Sequence, residues 1–133
     1  MRAAANFLFM SIGTLMICAL STEPQEPPPV GDLIDVGGRK LHLVCQGSGT
    51  PTVILESGAG EFSIDWTLVM PKIAKVARAC AWDHAGYAWS DMSPGFERFP
   101  DVASDMHELL QSAGIHPPLV LVGYVMGALY ARV

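Results

Sequence analysis

The sequence predicts an α/β protein, with strands of a mostly parallel sheet alternating with helices. Two observations carry this expectation. Short apolar runs at residues 52–55, 78–82 and 119–122 have the length and character of buried strands. Between them lie stretches whose apolar residues recur every three or four positions, the period of a helix with one buried face. Strands alternating with helices argue for a parallel sheet covered on both faces.

The elements follow in order. Residues 33–36 and 40–45 read as two strands joined at Gly37-Gly38, because glycine accepts the positive φ that a tight hairpin needs. In the second strand Leu41, Leu43 and Cys45 alternate with His42, Val44 and Gln46. Residues 47–51 form a loop, 52–55 a strand, and Ser57-Gly58-Ala59-Gly60 a glycine-rich loop. Residues 64–76 read as a helix through Trp66, Val69, Met70, Ile73 and Val76, with Pro71 marking a kink or a division into two short helices. Residues 78–82 are a strand and 83–100 a long loop. Residues 101–113 are a helix with Val102, Met106, Leu109, Leu110 and Ala113 on one face, Asp101 at its start and Gly114 beyond its end. The strand 119–122 then enters a sharp turn, G-Y-V-M-G, at residues 123–127.

Composition bounds the rest. The chain has 133 residues, enough for one small domain, and is 50% apolar and 16% charged, a globular composition. Net charge is −5 with no cluster of Lys or Arg, which argues against a nucleic-acid partner, since binding phosphates needs a basic patch. Residues 1–21 read as a secretory signal peptide, with Arg2 ahead of an apolar run from 7 to 20 and the small residues Ala19 and Ser21 at the spacing of a cleavage site. Residues 22–30 are a Pro-rich linker, and 31–133 the folded domain. The expected location is therefore secreted or periplasmic, with an uncleaved N-terminal anchor as the alternative. The apolar run is short for a membrane span, so none is expected after signal cleavage.

Three segments, in order, resemble the α/β-hydrolase fold family, in particular its serine esterases, lipases and iminopeptidase-like members. Residues 52–66, T-V-I-L-E-S-G-A-G-E-F-S-I-D-W, are similar to its third strand, oxyanion loop and first helix. Residues 82–91, W-D-H-A-G-Y-A-W-S-D, are similar to a motif that usually reads D-R-x-G-x-G-x-S. Residues 122–132, V-G-Y-V-M-G-A-L-Y-A-R, are similar to the G-x-S-x-G nucleophile elbow and its helix. The resemblance implies a partial α/β-hydrolase sheet, an N-terminal hairpin plus parallel strands with flanking helices, ending after the elbow.

The departures from the family pattern decide the chemistry. The elbow serine is Val125, its usual histidine neighbour is Tyr124, and the arginine of the second motif is His84. Valine has no proton to lose and no lone pair with which to attack. In this family the acid and histidine follow the nucleophile, and with no residue after Val133 both are expected to be absent. By resemblance, the backbone N–H groups of Ala59 and Met126 would form the oxyanion hole, and they survive any side-chain change. The expected function is a hydrolase-family chain without turnover. The alternatives are a binding module for an apolar or acyl ligand, and an active carboxylic-ester hydrolase if the remaining half is supplied.

No other residue replaces the nucleophile by pattern. Ser57, Ser63 and Ser90 read as turn or capping residues. Asp83 reads as a carboxylate bracing a loop, and adjacency to His84 does not make a dyad, since neighbours on a strand end point apart. Glu56 and Asp105 read as lone acids. His42, His107 and His116 have no metal-ligand spacing, and no metal or cofactor is expected. Trp66, Trp82 and Trp89 are expected in the core or on a pocket wall. The family's strand order would set Cys45 beside Cys80, and pairing follows as an expectation. An apolar strand at 119–122 left on the sheet edge would invite self-association.

Overall fold

A computed structural model describes residues 28–96 and 98–132. The signal peptide expected at 1–21 and most of the linker lie outside these. Five strands form one sheet: β1 (Asp32–Asp35), β2 (Lys40–Gln46), β3 (Thr52–Glu56), β4 (Arg78–Trp82) and β5 (Leu119–Gly123), in the order β1-β2-β4-β3-β5. β2 pairs antiparallel with β1 and β4, while β3 runs parallel to both β4 and β5. The β1–β2 hairpin closes where the Gly37 and Gly38 N–H groups both donate to Asp35 Oδ1 at 2.9 Å. Both glycines have positive φ, as that turn requires.

Side chains alternate across the sheet and build a core on each face. On one face Leu41, Leu43, Ile54, Cys80 and Trp82 pack with Val102, Leu109 and Leu110 of α2 (Phe99–Ser112) and Tyr130 of α3 (Gly127–Tyr130). On the other, Leu55 and Ala81 pack with Met70 of α1 (Met70–Ile73) and with Trp66 and Ile73. The two-sided coverage explains why β3 and β4 read as continuous apolar runs.

Two stretches differ in detail from the sequence expectation. Of the alternatives open for 64–76, the structure takes the division into two short pieces, a single 3₁₀ turn (Ser63–Trp66) followed by α1. Pro71 lies in the first turn of α1, where its missing N–H costs nothing, so it starts a helix here. The long loop ends earlier than residue 100, because α2 begins at Phe99. Asp101 does not precede that helix but sits in its first turn, where its carboxylate accepts the Arg98 N–H at 2.9 Å and pairs with the Arg98 guanidinium. Asp105, read as a lone acid, pairs with Arg39 and ties α2 to the hairpin.

A disulfide joins Cys45 of β2 to Cys80 of β4, which face each other in the antiparallel register. β5 lies at the sheet edge, with Val120, Leu121 and Val122 between 37% and 42% exposed.

Candidate active site

The turn after β5 is a nucleophile elbow in shape. Val125 has φ 51°, in the left-handed region where a β-branched residue is strained. The β-branched side chain has not relaxed the turn into another conformation. The flanking glycines explain why. A Cβ on Gly127 would lie 2.2 Å from the Glu56 carbonyl oxygen, and one on Gly123 would lie 2.4 Å from the Ala128 nitrogen. The Tyr124 N–H donates to the Glu56 carbonyl at 3.1 Å. The elbow is thus clamped on the end of β3, and the clamp, not the apex side chain, sets the geometry. The isopropyl group of Val125 projects at the surface, 66% exposed. Val125→Gly should raise stability by about 1 kcal/mol by removing the strain, measurable as a higher urea midpoint.

Opposite the elbow lies the loop after β3. Among the described residues, neither the Ala59 N–H nor the Met126 N–H donates a hydrogen bond. The neighbouring Gly58 N–H donates to Glu61 Oε2 at 3.0 Å. A Cβ on Gly58 would come within 3.2 Å of the Tyr124 carbonyl, so loop and elbow approach closely. Beside them is a hollow of about 290 Å³ lined by Glu61, Asp65, Trp66, Val69 and Tyr124. Trp66 is on this wall, its Nε1 donating to Ser57 Oγ at 2.8 Å.

Beneath the site, acids that read as isolated in the sequence are paired. Glu56 is fully buried; Oε2 accepts Trp82 Nε1–H and Oε1 meets His84 Nε2, each at 2.5 Å. Glu56 is therefore a link between β3, β4 and the loop after it, not a lone acid. His84, where the resembled motif carries an arginine, is held between Trp82 and Tyr130 with ring centroids 4.7 and 5.2 Å away.

Asp83 turns the other way, as adjacency on a strand end requires. Its Oδ2 meets His42 Nδ1 at 2.8 Å and its Oδ1 accepts the Ser63 N–H at 2.7 Å. Burial pushes its carboxyl pKa up, but the hydrogen bonds from His42 and Ser63 outweigh burial and hold it below the ordinary value. A lowered folded pKa stabilises the fold above the ordinary carboxylate range, and the contribution is lost as pH falls through the lowered value. Ser90 braces the same loop: its hydroxyl donates to the Asp83 carbonyl at 2.6 Å and accepts the His42 N–H at 2.9 Å.

Serine, histidine and aspartate thus meet at Ser63, His42 and Asp83, all buried. They are not a catalytic triad. Asp83 and Ser63 Oγ, the latter 3.5 Å away, both face His42 Nδ1. A triad places the acid on one ring nitrogen and the nucleophile on the other. His42 Nε2 instead faces the Val30 carbonyl at 3.3 Å.

No family model matches the chain. Among curated relatives, a probable transporter efuK of Hormonema carpetanum is 32% identical over 106 residues, covering 75% of this chain and 15% of that one. An AB hydrolase superfamily protein of Gibberella zeae is 28% identical over 83 residues, covering 62% and 26%. Among solved structures, the epoxide hydrolase CorEH matches with TM-score 0.65 and 27% identity, over 75% of this chain and 34% of that one. An esterase from Exiguobacterium antarcticum matches with TM-score 0.68 and 25% identity, over 76% and 38%. The chain spans about a third of the length of these structures and less of the curated relatives.

Proposed function

This chain belongs to the α/β-hydrolase fold family, and on that premise we propose that it is a member without nucleophilic turnover at its elbow. The single observation that carries this reading is Val125 at φ 51°, an elbow in shape with an apolar apex. Acyl transfer needs a nucleophile, a base that activates it, and donors for the oxyanion. The Ala59 and Met126 N–H groups, which donate no hydrogen bond among the described residues, support the third part only. The first cannot come from valine, and the buried Ser63 lacks the ring geometry to serve instead. A fluorophosphonate probe incubated with the full chain should leave no covalent label, while an active serine hydrolase in the same tube is labelled. A phosphonylated side chain found by mass spectrometry would overturn the reading.

A second reading, a binding module for an apolar or acyl ligand, is favoured by the exposed isopropyl group next to the Met126 N–H, which donates no hydrogen bond among the described residues. Saturable binding of a medium-chain fatty acid without hydrolysis of its esters would support it.

The disulfide supports an oxidising compartment, in keeping with the signal peptide expected at 1–21. The uncharged β5 edge supports self-association of the chain through strand pairing. Leu121→Lys should lower the association seen by sedimentation velocity, because a charge on an edge strand opposes pairing. An unchanged concentration dependence would place the contact elsewhere.

A further inference from the structure

The elbow lies at the carboxyl ends of the parallel strands, where α/β sheets place their ligands. At the opposite end is a second concavity, of about 570 Å³, which the hydrolase reading does not use. It is bounded by the loop Gly47-Ser48-Gly49-Thr50 after β2, by Arg78 at the start of β4 and by His116 ahead of β5. We propose that this concavity is a binding site for a small oxyanion, a phosphate or carboxylate group.

Three observations converge on that chemistry. The first is charge. The chain has net charge −5, yet no carboxylate lines this hollow, and its ionisable side chains are Arg78 and His116. Arg78 is half-buried and forms no ion pair among the described residues, whereas Arg39 and Arg98 each hold an aspartate. A guanidinium presents a planar fork of donors that fits two oxygens of a phosphate or carboxylate.

The second observation is the supply of neutral donors. The backbone N–H groups of Ser48, Gly49 and Thr50 donate no hydrogen bond among the described residues. Ser48 and Thr50 also line the hollow and are exposed, so their hydroxyls add two neutral donors at its rim. A glycine-flanked loop with successive free N–H groups is the backbone arrangement that accommodates anions.

The third is rigidity. A Cβ on Gly47 would lie 2.7 Å from the carbonyls of Ala74 and Ala77, so the loop is packed directly against the backbone after α1. On the far side, the Thr52 N–H donates to the Pro118 carbonyl at 3.2 Å, which ties the His116 segment to β3. The two walls are therefore anchored at Gly47 and at the Thr52–Pro118 link, with the exposed Ser48, Gly49 and Thr50 between them, and anchoring the ends of a binding loop reduces the ordering cost of binding.

The test uses the isotope-labelled full chain, titrated with sodium phosphate and then sodium acetate, with sodium chloride holding ionic strength constant. The expected result is saturable amide shifts confined to residues 48–50, 78 and 114–116. Phosphate binding tighter than acetate would mark a phosphate site, and the reverse a carboxylate site. Arg78→Met should raise the half-saturation concentration by about tenfold or more, the usual effect of losing a charged hydrogen-bond pair. His116→Gln, a surface change, should weaken binding less and serves where the arginine variant does not fold. Shifts reproduced by chloride alone, shifts scattered over the surface, or unaltered binding in both variants would overturn the proposal.

Discussion

Glu56→Ala is expected to unfold the chain or leave it largely molten, at a cost of about 3–5 kcal/mol. Glu56 is fully buried and holds Trp82 Nε1 and His84 Nε2, both within the core. Alanine would strand these two ring nitrogens away from water and open a cavity between β3 and β4. Each stranded nitrogen costs about 1–3 kcal/mol, a large part of the 5–15 kcal/mol that holds a typical domain together. The effect extends to the elbow, because the Glu56 carbonyl receives the Tyr124 N–H and lies against Gly127. Glu56→Gln should cost less, since its amide can still accept from Trp82 and donate toward His84 in the right tautomer. Urea melts of the three chains, followed by Trp fluorescence, check the order wild type, Gln, Ala. Equal stability of the alanine variant and wild type would mean that the buried link carries no weight.

Reducing the Cys45–Cys80 disulfide is expected to lower stability by about 3–4 kcal/mol, from the entropy that a closed loop of 35 residues removes from the unfolded chain. Among the described residues β5 lies at the edge of the sheet, and α1 and α3 are each four residues long. Such helices contribute little by themselves, because their stability comes from packing rather than from propagation. The bond also secures the junction between the antiparallel hairpin and the parallel strands. A melt with and without phosphine reductant gives the difference directly, and the Cys45→Ala, Cys80→Ala double variant should match the reduced protein. A shift below about 1 kcal/mol would show that the unfolded chain is already compact enough to make the crosslink redundant.

The strands were legible because their signals are local. Residues 52–55 and 119–122 carry their own apolar runs, and Gly37-Gly38 carries its own turn. Pro71 was legible as an interruption, though its position inside a new helix depended on how the chain packed around Met70. Of the candidate site, the identity of the apex residue and the loop opposite it could be read from three spaced motifs. The pairings of the buried acids could not. Glu56 reaches His84 across 28 positions, Asp83 reaches His42 across 41, and Arg39 reaches Asp105 across 66. Nothing in a one-dimensional pattern distinguishes an acid with such a partner from one without. The only hint was that acids placed at the ends of apolar strands need partners in order to be buried.

What the sequence determined by itself was chemical identity and local period: an isopropyl group where a hydroxyl would react, strands alternating with helices, and two cysteines on strands that a known topology sets side by side. What only the tertiary structure decided was which groups meet. It kept Val125 in a left-handed conformation by clamping Gly123 and Gly127 against neighbouring backbone, joined Glu56 to His84, and set Asp83 and Ser63 on the same nitrogen of His42. The physical reason is one of range. Side-chain periodicity acts over a few residues and is written in order along the chain, whereas hydrogen bonds and close contacts between strands depend on register, which exists only once the sheet has formed.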